Sequence, residues 1–214
     1  MQYQRLNLAQ KLVAAREMIQ IALKEDDLLV AMSEFGFNEQ RLQKGLVLLE
    51  EAETLDHSQQ RHKGEQIAAS ADVKARFKDL LSSFRLDRRI VSNASRKHKG
   101  LTEQLQLKES VNAQRDALLQ RSLLFYKHVL ADSKILGKLE PYGFTKESVE
   151  EKLSEIKALQ DAMIEQQERR AQAIITTERR KKAQALLDDY IAQFIAIARV
   201  AFRHEKEQLK KFGL

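Results

Sequence analysis

Cysteine is absent from this sequence, so neither disulfides nor thiolate metal sites belong to its chemistry. Tryptophan is absent too, proline occurs once and glycine seven times. So few breakers exclude a turn-rich β architecture and leave long stretches free to be helical. No apolar run approaches the roughly 20 residues that span a bilayer. The first residues, Met1-Gln2-Tyr3-Gln4-Arg5, lack a basic segment followed by an apolar one, so no cleaved signal is expected and a cytoplasmic location is the default. Charge of one sign is not concentrated anywhere. The net +6 divides evenly, with 17 Lys and Arg against 14 Asp and Glu in residues 1–100, and 20 against 17 in residues 101–214. A mild excess spread over a heavily charged surface reads as a solvated face and speaks against nucleic acid as a partner.

What is present is 43% hydrophobic and 32% charged residues over 214 positions, the balance of amphipathic helices. One short stretch organises them. Phe35-Gly36-Phe37-Asn38 returns as Tyr142-Gly143-Phe144-Thr145, 107 positions later. Glycine can take the left-handed conformation that closes a helix, and Asn38 or Thr145 is a preferred cap for the next one. The flanking aromatics are positioned to clamp the turn. At the same spacing Leu12 matches Leu119, Leu23 matches Leu130, Leu29 matches Leu136, Leu46 matches Leu153 and Ile67 matches Ile174.

The pattern predicts an all-α, antiparallel helical bundle of about six long helices, an internal duplication of a three-helix unit. The copies are residues 1–100 and 101–214. Helices are expected over about 3–34, from 38 to the low sixties, 72–99, 103–140, 145–176 and 178–211. The boundary near 64–74, and its counterpart near 171–180, rests on an indel. Leu80, Leu81 and Phe84 match Leu186, Leu187 and Tyr190 at a spacing of 106, one less than before. Losing one residue inside a packed helix rotates every later side chain by about 100°, whereas a loop absorbs the change. Against a turn stands Arg179-Arg180-Lys181-Lys182, since the macrodipole disfavours cations at a helix N-terminus. A single continuous helix is the alternative. The length of the three-helix period equals that of spectrin repeats, but Gly100 at the copy junction and the missing tryptophan depart from that pattern. No family is assigned.

Residues able to carry chemistry do not converge. The histidines are His57, His62, His98, His128 and His204, and no Glu-x-x-His occurs. His128 and Asp132 share a helix face at i and i+4, a spacing more common for surface pairs than for sites. His98 and His204 occupy equivalent places near helix ends, where the dipole favours a cation. Asp26, matched by Ser133, belongs at the edge of a core stripe within reach of water. There is no phosphate loop and no nucleophile elbow. No cofactor, metal or catalytic residue is assigned.

The copies differ most in their last helix. Ile191, Phe194, Ile195, Ala198 and Phe202 form an apolar face where the first copy has Arg85, Arg88, Arg89, Ser92 and Arg96. Such a face demands a partner: the other copy, a second chain in a homodimer, or another protein or membrane surface. The favoured function is a non-catalytic scaffold or protein-interaction module. The alternative is an anion binder using Arg85, Arg88, Arg89 and Arg96 on nucleic-acid or lipid phosphates, with Glu50, Glu51 and Glu53 as the carboxylates that would otherwise neutralise them. An enzyme without a recognisable motif comes third.

Overall fold

The computed structural model describes residues 3–95, 99–107 and 114–214, and among these every regular element is helical. A 3₁₀ turn at Tyr3–Arg5 precedes α1 (Leu8–Lys24) and α2 (Asp26–Ser33). The long α3 (Glu39–Ser95) is followed by α4 (Lys99–Gln104), α5 (Arg115–Ala131), α6 (Ser133–Leu139) and a 3₁₀ turn at Glu140–Tyr142. The chain then forms a second long helix, α7 (Lys146–Ala201), and ends in α8 (Lys206–Lys211). The expectation of six long helices is therefore corrected to eight α-helices among the described residues, of which two are very long.

Local chemistry sets most of these boundaries. A capping box starts α1: Asn7 Oδ1 accepts from Gln10 N–H at 3.0 Å while Gln10 Oε1 accepts from Asn7 N–H at 3.1 Å. The backbone turns extended at Glu25, separating α1 from α2, and does the same at Asp132, separating α5 from α6. Asp132 then caps α6 by accepting from the N–H groups of Lys134 and Ile135. At Gly36 φ is +83° and at Gly143 it is +89°. Phe37 N–H bonds back to Met32 C=O and Phe144 N–H to Leu139 C=O, satisfying carbonyls the helices leave open. Asn38 Oδ1 accepts from Arg41 N–H and Thr145 Oγ1 from Ser148 N–H, capping α3 and α7. Of the flanking aromatics only Phe37 and Phe144 are buried, whereas Phe35 and Tyr142 are exposed.

No turn exists at 64–74 or 171–180. Both stretches lie inside α3 and α7, so the turn inferred from the indel is corrected to continuous helix. Glycine at position 64 has a helical backbone and open space around it, and neither helix interior contains proline. The four cations from Arg179 to Lys182 sit far from any N-terminus. There Arg180 reaches Asp56 at 3.2 Å and Lys181 reaches Glu178 at 2.9 Å.

The chain divides into two compact units. Unit 1 joins Met1–Gly64 to Ala171–Leu214, and unit 2 is Glu65–Arg170. The cut differs from one between residues 100 and 101, because α3 and α7 each contribute one part to each unit. In unit 1 the two helices run antiparallel, with Tyr190 Oη donating to Arg41 C=O at 3.0 Å and Arg180 paired with Asp56. Its core joins Leu12, Met18, Ile19, Leu28, Met32 and Phe37 to Leu42 and Leu49 of α3 and Leu187, Ile191 and Phe194 of α7. In unit 2 the helices are again antiparallel, marked by Arg169 to Glu65 at 3.0 Å and Gln166 to Ser70 at 3.1 Å. Val73, Phe77, Leu80 and Phe84 of α3 meet Leu118, Phe125 and Tyr126 of α5 and Val149, Ile156 and Leu159 of α7.

Four glycines separate these explanations in one urea-denaturation series. Gly64→Ala should stabilise the protein by up to about 1 kcal/mol, because alanine in an exposed helix interior loses less backbone entropy than glycine. Gly36→Val or Gly143→Val should cost about 1–2 kcal/mol or more, since a β-branched residue resists positive φ. Gly45→Ala should also destabilise, by about 1–3 kcal/mol. A Cβ there would lie 2.5 Å from the buried Tyr190 ring.

Candidate functional site

The apolar face of α7 lies in the core of unit 1. Ile191, Phe194, Ala198 and Phe202 are almost wholly buried, and Ile195 is half-buried at the margin. Phe194 meets Phe37 edge-on at 5.8 Å between centroids and Phe212 edge-on at 5.4 Å; Phe202 packs on Phe212 at 6.1 Å. The cover thus comes from the chain itself, through its N-terminal helices and its C-terminal turn.

The arginine set is scattered by contrast. Arg88 is only 9% exposed; its Nη2 donates to Gln106 C=O at 3.0 Å and its guanidinium stands 5.8 Å from the Phe84 ring centroid. Arg85 and Arg89 are exposed, and Arg96 lies outside the described residues. The expected four-arginine face is therefore corrected: Arg88 turns inward to hold a carbonyl, leaving Arg85 and Arg89 outward. Asp87 accepts a 2.6 Å hydrogen bond from Tyr126 Oη. Glu53, expected opposite the arginines, pairs instead with Arg16 at 2.5 Å, and Glu50 and Glu51 also belong to unit 1.

Gln106 itself adopts φ +51°, a left-handed conformation in which a non-glycine residue is strained. Gln106, with Arg88, Arg121, Leu124, Phe125 and His128, lines an open hollow of about 20 Å³, room for one water. Sequence reasoning had no signal for this cluster, because α4 and α5 approach α3 only after folding. His128 lines the hollow, whereas Asp132 is occupied as a helix cap, so the two do not act as a pair. His204 accepts from Arg203 Nε at 3.0 Å in the turn after α7, and His98 lies outside the described residues. Asp26 is exposed in the first turn of α2, where the dipole favours a carboxylate, and Ser133 is exposed likewise.

Unit 1 has a second polar cluster. Lys11 Nζ bonds Asp188 Oδ2 at 2.7 Å and stands 5.4 Å from the Tyr3 ring centroid. Burial, then the neighbouring Asp188 charge, pushes the Tyr3 hydroxyl well above the usual tyrosine range. Burial and the hydrogen bond to Asp87 do the same for Tyr126. Burial pushes Tyr190 up to about 12, with Arg41 opposing the shift. Among the described residues no three His, Asp or Glu side chains converge as a metal site would need, and no helix is long and apolar enough to cross a membrane.

Compared with protein-family models, with curated proteins and with solved structures, the chain matches none.

The buried rings of this region make both its packing and its titration measurable. Phe194→Ala should cost about 3–5 kcal/mol in equilibrium unfolding, the range for emptying a buried aromatic site. The tyrosines set an alkaline limit. A raised folded pKa means the unfolded chain loses its phenolic protons first, so stability is intact below about pH 10 and declines as pH climbs toward about 12. Urea midpoints at about pH 11 should lie below those at about pH 8, with the loss setting in only above about pH 10 and smaller in Tyr190→Phe.

Proposed function

We propose that this chain is a non-catalytic helical interaction module, an antiparallel bundle built from two copies of one three-helix unit. Support for the duplication comes from local features that recur with the sequence spacing. The extended breaks at Glu25 and Asp132, the positive-φ glycines at 36 and 143, and the starts of α3 and α7 all lie 107 apart. On this reading each compact unit combines the first two helices of one copy with the last helix of the other.

The observation that carries the function is an open groove between α3 and α7 in each unit. In unit 1, α3 and α7 leave an open groove of about 480 Å³ lined by Glu51, Thr54, Leu55, Arg179, Lys182 and Leu186. In unit 2 the same two helices leave one of about 470 Å³, where Arg76 and Leu80 stand at the positions of Lys182 and Leu186, 106 residues earlier. Open, and lined by charges of both signs together with apolar side chains, such grooves suit a helix laid along them better than a small molecule. Leu186 is 55% exposed, apolar surface that an added helix would cover.

Anion binding by Arg85 and Arg89 is the competing reading, favoured by their exposure and by the engagement of Asp87 with Tyr126. Salt separates the two. A protein partner captured by the immobilised full chain should be retained at about 200 mM salt, whereas phosphate contacts lose affinity steeply over that range. Binding to duplex DNA, RNA or anionic vesicles that collapses with salt and with Arg85→Ala/Arg89→Ala would overturn the interaction module in favour of the anion binder.

A further inference from the structure

The side of α7 that faces away from the unit 1 core carries its own order. Ala185, Asp189, Ala192, Ala196 and Arg199 are all exposed. Their spacings of four, three, four and three residues align them along one narrow line, the spacing of a helix-pairing seam. Small side chains occupy the middle of the line and opposite charges flank it. Asp189 and Arg199 are ten residues apart, about 15 Å along the helix. A cleft of about 750 Å³ opens along this line, lined by Asp189, Ala192, Ala196 and Arg199 together with Tyr3, Arg5, Lys11 and Asp188. There Tyr3, only 5% exposed, holds its hydroxyl beside the Asp188 carboxylate, whose Oδ2 is paired with Lys11.

We propose that this face binds a second copy of the same chain, α7 against α7 in antiparallel order about a twofold axis near Phe194. The argument is self-complementarity. Reversing the line onto itself places Asp189 opposite Arg199 of the second copy, Arg199 opposite Asp189 of the second copy, and Ala192 opposite Ala196, so one interface carries two identical ion pairs around a closely approached alanine centre. A twofold pairing needs nothing but this chain, whereas an unrelated helix would have to match the same charge order by chance. The inference deepens the interaction-module reading and rests on it, naming the partner of one face.

Sedimentation velocity on the full chain tests the pairing, with circular dichroism to show that each variant is folded. The wild type should sediment at twice the 24.7 kDa of one chain. Arg199→Glu and Asp189→Arg should each fall to one chain, because each sets like charges face to face. The double variant Asp189→Arg/Arg199→Glu should recover the doubled mass, since the order is inverted on both sides at once. A wild type of single-chain mass, an Arg199→Glu variant that keeps the doubled mass, or a double variant that does not recover it overturns the pairing. Retention of a different protein at about 200 mM salt is read on a separate sample, so the interaction module can stand where the self-pairing fails.

Discussion

The uninterrupted course of α3 and α7 is the constraint on which everything else depends. Each helix begins at a capped, glycine-closed turn and then runs for more than fifty residues without a proline or a positive-φ residue. Its first part packs in one core and its second part in another. Three consequences arise together: unit 1 is assembled from two separate stretches of sequence while unit 2 is the single stretch between them, the apolar face of the last helix is buried against the first fifty residues, and four clustered cations stand in mid-helix.

Between the cores, the helices are held by different means. On α3 no residue is buried between Ala52 and Val73, and on α7 only Ala173 and Thr176 are buried between Leu159 and Ala183. Ion pairs and good helix formers take over here, through Arg180 with Asp56 in unit 1 and Arg169 with Glu65 in unit 2. Such half-exposed pairs contribute about 0.2–1 kcal/mol each. Helicity here therefore leans on intrinsic propensity and on the well-packed segments at either end, which spare the middle the cost of nucleation.

Much of the local structure was legible because it is written in residue types with single roles. Glycine followed by phenylalanine and a capping Asn38 or Thr145 dictates stop, turn and start within four residues. The breaks at Glu25 and Asp132 were not legible, since neither residue type forces an extended backbone and the apolar period passes through them. The inferred turn near 64–74 failed for a more instructive reason. A one-residue indel rotates the later side chains by about 100°, which is forbidden only when both stretches must face the same core. Here Leu42 and Leu49 face one core while Phe77 and Phe84 face another, so the helix can absorb the change without a loop. The inward turn of Arg88 escaped a one-helix reading because its acceptor, the Gln106 carbonyl, comes from a neighbouring element.

Hydrogen exchange of the amides at 64–74 and 171–180 tests the continuity of α3 and α7 most directly, because it reports backbone hydrogen bonding where side-chain packing is thinnest. Continuous helices predict exchange slowed in both stretches relative to free peptides of the same sequence. Exchange at the free-peptide rate would place turns there, return the last helix of each copy to its own half of the chain, and contradict the division of α3 and α7 between the two units.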